Sequence, residues 1–230
     1  MSAFGARGTG KTAWCRQEIE RQLRAMKVPR LLVWDFKHDP GLEGVGQPVH
    51  TINDLARLAK APSFRLRYMV DHTKDVHEQF KLFCLIAWIA GCLLMFVDEL
   101  PEVTQASRAP AEWRRCVNVG RDYVQAGQRK WLAILAAGQR LAETDKSFID
   151  NCDVVHCGRL GAGDARTLGS MWGADPKRFV ALPDLHWIEK RASSIELVQG
   201  VLTFGDGKKT TNKAAKKAAA KKVRPPRSAP

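Results

Sequence analysis

The octapeptide Gly5-Ala6-Arg7-Gly8-Thr9-Gly10-Lys11-Thr12 limits what this chain can fold into more than any other stretch. It satisfies the spacing GxxxxGK[ST] in full. Small residues let successive backbone N–H groups curl around an anion, and a helix starting at the lysine presents its positive end to the same point. In such a cradle Lys11 neutralises the β- and γ-oxygens of a nucleotide, and the Thr12 hydroxyl is placed to bind Mg2+. A loop of this kind follows a buried strand, and only Ser2-Ala3-Phe4 is available here. Either a very short central strand suffices, or the natural chain begins upstream of Met1.

The rest of the body alternates strand-like and helix-like patches. A helical pattern over residues 11–26 is followed by the buried strand RLLVWDF and a short helix INDLARLAK capped near Asn53. FRLRYMV alternates like a strand with one open face. A helix over residues 75–90 precedes CLLMFV, and ASRAPAEWRRCVNVGRDYV reads as a further helix. WLAILAA and DVVHCGR read as strands around a short helix in ETDKSFIDN, residues 162–172 as a helix, and RFVALPDLHWIEK and SIELVQGVLTF as a closing pair of strands. Strands separated by helical patterns predict an α/β fold, a mainly parallel sheet with helices on both faces.

LFCLIAWIAGCLLMFV, residues 82–97, is uncharged but short for a bilayer span and runs straight into Asp98-Glu99. A helix ending at Gly91 followed by a buried strand accounts for it, so no transmembrane segment is expected. No signal peptide is expected either. Six scattered cysteines without paired Cys/His spacing fit reduced thiols. Trp34, Trp88 and Trp131 stand in apolar runs and are expected in the core, and the six histidines show no ligand spacing.

The strand CLLMFV delivers two acids to the sheet edge, a Walker B pattern. Asp98 there can hold a metal-bound water, and Glu99 can polarise the attacking one. Two adjacent carboxylates suit nucleotide hydrolysis coupled to motion better than phosphoryl transfer to a small acceptor. The net charge of +13 is concentrated at one end. Residues 207–230 hold seven Lys, two Arg and no acid, so four of the thirteen excess charges remain on residues 1–206. The reading is one domain over residues 1–204 and a disordered Lys/Ala-rich tail over 205–230. The tail would bind nucleic-acid phosphates by counterion release, without reading sequence.

With these motifs, WLAILAAGQRLAETDKSFIDNCDVVHCGRL resembles the HerA/FtsK superfamily of DNA-pumping P-loop ATPases, of RecA-like ASCE fold. In that family the strand after Walker B ends in a glutamine, and an Asn-Ala-Asp-like turn leads to a strand ending in Arg. Here GQRL has Gly138 before the glutamine and lacks the family's proline, and NCDVVHCGRL keeps the turn. The resemblance spans Gly5 to about Pro183. It implies that Gln139 senses the γ-phosphate and that an arginine completes each site from a neighbouring subunit. Gly120-Arg121 matches the family's Gly-Arg pair, Arg129 lies nearer the usual spacing, and Arg140 and Arg159 are further candidates. WDFKHD resembles the family's Asp-Pro-Lys-like strand end, with no role assigned to Asp35.

The compact body resembles the genome-packaging ATPases of membrane-containing, double-jelly-roll viruses and phages. That resemblance implies an ATP- and Mg2+-dependent motor, a homo-oligomeric ring (a hexamer), double-stranded DNA in its pore, and capsid-vertex or membrane proteins as docking partners. It implies a location in the host cytoplasm or on the virion. Filamentous-phage assembly ATPases like the zonula occludens toxin family, and conjugation-type ATPases, share the motifs. A P-loop small-molecule kinase and a nucleotide-switched DNA-binding scaffold are the alternatives of another class.

Overall fold

The computed structural model describes residues 1–204, and the expected tail lies outside the described residues. In chain order the elements are β1 (Ser2–Phe4), α1 (Lys11–Ala25), β2 (Arg30–Asp35), β3 (Gln47–Val49), α2 (Ile52–Leu58), β4 (Phe64–Met69) and α3 (Val76–Ala90). There follow β5 (Leu93–Val97), α4 (Ala111–Val119), β6 (Tyr123–Gln125), β7 (Gln128–Lys130), β8 (Leu132–Gly138) and α5 (Lys146–Asp150). The chain closes with β9 (Val154–Cys157), α6 (Ala162–Trp172), α7 (Lys177–Val180), β10 (His186–Arg191) and β11 (Leu197–Val201).

Nine strands form one sheet in the order β11-β10-β9-β1-β8-β5-β2-β4-β3. From β9 to β3 the pairs are parallel, and β10 and β11 close the β9 edge antiparallel. The sheet follows the side-chain period of two. Leu31 and Val33 of β2, Leu94 and Phe96 of β5, and Leu135 and Ala137 of β8 face α1 through its Cys15, Ile19 and Leu23. Their alternates, Leu32, Trp34, Leu93, Met95, Val97 and Ala136, face the larger core built with α2 to α6. Both faces of β2 and β5 are covered, so their sequences read as unbroken apolar runs.

The three-residue β1 is central in the sheet. Its residues register with Ala136, Ala137 and Gly138 of β8 on one side and Val155, His156 and Cys157 of β9 on the other. The segment 82–97 is the end of α3, a turn at Gly91 (φ 58°), and β5. Among the described residues no helix is long and apolar enough to cross a membrane.

Four expectations are corrected. The helix read over residues 106–124 is confined to Ala111–Val119, and Tyr123 to Lys130 form a hairpin instead. Its two-residue turn, Ala126 (φ 49°) and Gly127 (φ 73°), has the positive φ angles that suit the twist of paired strands. RFVALPDLHWIEK is not one strand: it begins as the short α7, and only His186 onward is extended. The cap of α2 is Thr51, whose hydroxyl accepts the Asp54 N–H at 3.1 Å, not Asn53. Finally, Trp131 is 37% exposed at the foot of β8. Trp34 is fully buried and Trp88 stacks on Tyr123 at 3.8 Å.

Candidate nucleotide site

The loop from Gly5 to Thr12 turns at the carboxyl end of β1. Gly8 (φ 82°) and Gly10 (φ 89°) take left-handed conformations that a side chain would resist. The end of β9 holds the loop from behind: Ala6 N–H donates to Arg159 O at 2.7 Å, and Gly158 N–H to Phe4 O at 2.8 Å. A Cβ on Gly158 would lie 2.8 Å from Thr9 Cβ, so only glycine lets the two segments approach this closely. No side chain caps α1, so its first N–H groups point past Gly10 unclaimed, the arrangement that receives an anion. The Lys11 ammonium folds back over the loop, donating to Gly5 O at 2.7 Å and Ala6 O at 3.0 Å. Burial lowers its pKa, and the nearby charge of Glu99 opposes that shift.

Across a cavity of about 1190 Å³ stand the acids. Asp98 follows β5 and is 8% exposed. Burial first, then the charges of Glu99, Asp35 and Asp39, push its carboxyl up to about 7. Glu99 sits at φ 49°, a left-handed geometry that is uncommon outside glycine and aims its side chain back over the sheet edge. Its Oε1 accepts from Lys37 Nζ at 2.6 Å and from Gln139 Nε2 at 2.8 Å. Asp39 accepts from the Thr12 hydroxyl at 2.9 Å and from Gly41 N–H at 2.7 Å, while its own N–H donates to Asp35. Asp35 is fully buried, with Arg67 Nη1 3.5 Å from Oδ2 and no hydrogen bond to that oxygen. Burial raises its pKa too.

This donor set fits a divalent cation. Hard oxygen ligands suit Mg2+, and the Thr12 hydroxyl and the carboxylates of Asp39 and Asp98 line this one cavity. Thr12 and Asp98 would hold the ion, with Asp39 already bonded to the Thr12 hydroxyl.

No protein-family model matches the chain. Protein P9 of Pseudoalteromonas phage PM2 is 27% identical over 165 residues, covering 70% of this chain and 68% of P9. Among solved structures, the genome packaging NTPase B204 of Sulfolobus turreted icosahedral virus 2, in complex with AMPPCP, superposes with a TM-score of 0.68. It is 13% identical, over 89% of this chain and 97% of B204. The fold, a mostly parallel sheet flanked by helices, is that of a P-loop NTPase. VirB4 of Thermoanaerobacter pseudethanolicus has the same architecture, with a TM-score of 0.61 at 8% identity over 89% of both chains. So has the bacterial conjugative coupling protein TrwBΔN70, with a TM-score of 0.59 at 11% identity over 88% of this chain and 84% of TrwB.

Within this P-loop fold, Arg7, Gly8, Gly10, Lys11, Thr12, Asp98, Glu99 and Gln139 line one cavity. Gln139 follows β8, which lies between β1 and β5 and so carries its amide between the loop and Glu99. Arg121 is elsewhere. It stands at the amino edge of the strands, donating to Asn151 O at 2.9 Å and Asp153 Oδ1 at 2.8 Å, where it cannot reach its own loop. Arg129 is beside it, paired with Asp122. Arg140 and Arg159 stand at the carboxyl edge, paired with Glu143 and Asp184. Lys37 and Asp39 are site residues that the sequence motifs did not single out, although both lie in the family-like WDFKHD.

Proposed function

We propose that this chain is an Mg2+-dependent ATPase that works as a ring and drives double-stranded DNA, packaging a viral genome into its capsid. One observation carries the reading. A phosphate loop with its lysine and a base-like Glu99 face one cavity, with Gln139 bonded to the base. The likeness to B204, a protein named as a genome packaging NTPase, supports the packaging role. So does a basic tail suited to phosphates.

The chain's own residues divide the work. The loop amides from Gly5 to Gly10 and the first turn of α1 bind the phosphates, and Lys11 swings from the loop carbonyls to neutralise them. Thr12 and Asp98 would hold Mg2+, which when bound would supply charge neutralisation for the phosphates. Glu99 accepts a proton from the attacking water, and Gln139, an uncharged donor and acceptor, links that base to the phosphate being cleaved. An arginine from a neighbouring subunit, Arg121, completes the site, so hydrolysis requires assembly. The protein acts in the host cytoplasm or at the virion, against capsid-vertex or membrane proteins.

Phosphate release from ATP, with and without duplex DNA, tests the reading. DNA is expected to accelerate release, and Glu99→Gln to keep ATP bound while cutting turnover by about a hundredfold or more. Turnover that needs an added small-molecule acceptor would favour a kinase, and tight binding with no turnover in an assembled sample a switched scaffold.

A further inference from the structure

The phosphate loop sits on β1, and the sheet order sets what lies to either side of it. The hydrolytic groups follow β8, β5 and β2, all on one flank. A nucleotide whose γ-phosphate faces Glu99 must therefore lead its nucleoside toward the other flank, where β9 and β11 end and β10 begins. There the cavity changes character. Leu185, just before β10, and Phe204, just after β11, line it beside Gly10, Ala13, Arg16 and Gln17 of the loop and α1.

This apolar wall is built rather than incidental. Leu202 N–H donates to Leu185 O at 2.8 Å, and Gln17 Nε2 donates to Thr203 O at 2.8 Å, tying the end of β11 to α1. A Cβ on Gly10 would lie 2.7 Å from Leu202 Cδ2 and 3.1 Å from Leu185 Cδ2, so the leucines press directly against the loop. Leu185 holds φ 63°, a strained angle for a leucine that places its side chain in the cavity wall. Phe204 remains 64% exposed at the mouth, a large aromatic with one face unclaimed among the described residues.

We infer that Leu185 and Phe204, backed by the buried Leu202, form the base subsite of this cavity, with Phe204 as the platform on which the purine of a nucleoside triphosphate stacks. The inference rests on the nucleotide-site reading given above and adds the part of the ligand that the loop does not contact. Stacking on an aromatic face selects for a base's flat area, so purine triphosphates bind more tightly than pyrimidine ones.

The test compares binding of ATP and of inorganic tripolyphosphate, each with Mg2+, to the full-length chain. Wild type is expected to prefer ATP, and Phe204→Ala to weaken ATP by about tenfold while leaving tripolyphosphate unchanged. Phe204→Trp should restore the preference. Because Phe204 is exposed, its truncation leaves the core intact, and a matching circular dichroism spectrum checks this. Equal affinity of wild type for both ligands, or an equal loss of both in Phe204→Ala, overturns the base subsite while leaving the phosphate site standing. If wild type binds neither ligand, the nucleotide-site reading itself fails and takes the subsite with it.

Discussion

Lys37 and Glu99, sixty-two residues apart in sequence, meet at 2.6 Å over the cavity that also holds Lys11. Lys37 donates to the same oxygen that Gln139 occupies. That oxygen is held by two donors, one of them charged, and must give up a partner before it can accept from an incoming water.

Lys37→Ala should therefore raise ATP hydrolysis measured without DNA. Lys37 is 45% exposed and solvent screens the pair, so the gain is modest, about 1 kcal/mol or a few-fold in rate. Steady-state phosphate release reads it directly. A lower rate would assign Lys37 to orienting Glu99 or the phosphate instead of restraining the base.

Asp98 gives a pH prediction. Its folded-state pKa of about 7 lies above the ordinary 3.8, so the folded state holds the proton more tightly than the unfolded chain does. The metal-free protein accordingly loses stability as pH rises from about 4 to about 7, and a bound divalent cation offsets that loss. Mg2+ should raise the melting temperature more at about pH 8 than at about pH 6, where proton and cation compete. Asp98→Asn should be more stable than wild type at about pH 8 without metal and respond little to Mg2+. Thermal melts across a pH series with and without the ion check both statements.

His156 works in the opposite direction. It is buried between Trp14, stacked at 4.2 Å, and Trp187, with Nδ1 3.0 Å from Glu189 Oε1. Burial lowers its pKa against the pull of Glu189. The stability tied to its neutral form is present above about pH 6.5 and is lost as pH falls through the lowered value. His156→Gln should flatten the acid side of the melting curve. Because this window overlaps that of Asp98 with opposite sign, each variant's difference from wild type is the quantity to read.

Arg121 in trans makes a complementation prediction. Lys11→Ala and Arg121→Ala preparations should each be nearly inactive, and mixing them should restore part of the activity. Intact loops in one subunit then receive intact arginines from the other. Failure to complement, with Arg140→Ala complementing in its place, would move the role to the carboxyl edge of the sheet.

The strands and motifs were legible in the sequence because burial on both faces writes itself as apolar runs ending in acids, as at β5 before Asp98. Misreadings came where a local signal was weak. Ala126-Gly127 turns a hairpin without the usual Asn-Gly or Asp-Gly pair, so the residues before it passed for a helix. In RFVALPDL a single turn of helix, burying Phe179 alone, looks as apolar as a strand. Thr51 and Asp54 do form a Thr-x-x-Asp cap, a signal that competes in the sequence with the nearby Asn53. Lys37 and Asp39 lie in WDFKHD, a resemblance that carries no role by itself, and Leu185 and Phe204 belong to no motif. Their place depends on which strands are neighbours, and sequence order alone does not give that.

With only three residues, β1 has no position independent of the strands that clasp it on both flanks. The cradle for phosphate is in effect welded to β8, which Gln139 follows, and to β9, which Gly158 follows. The connection after β2 stands opposite and is itself laced to the cradle and the acids, through Asp39 to the Thr12 hydroxyl and through Lys37 to Glu99.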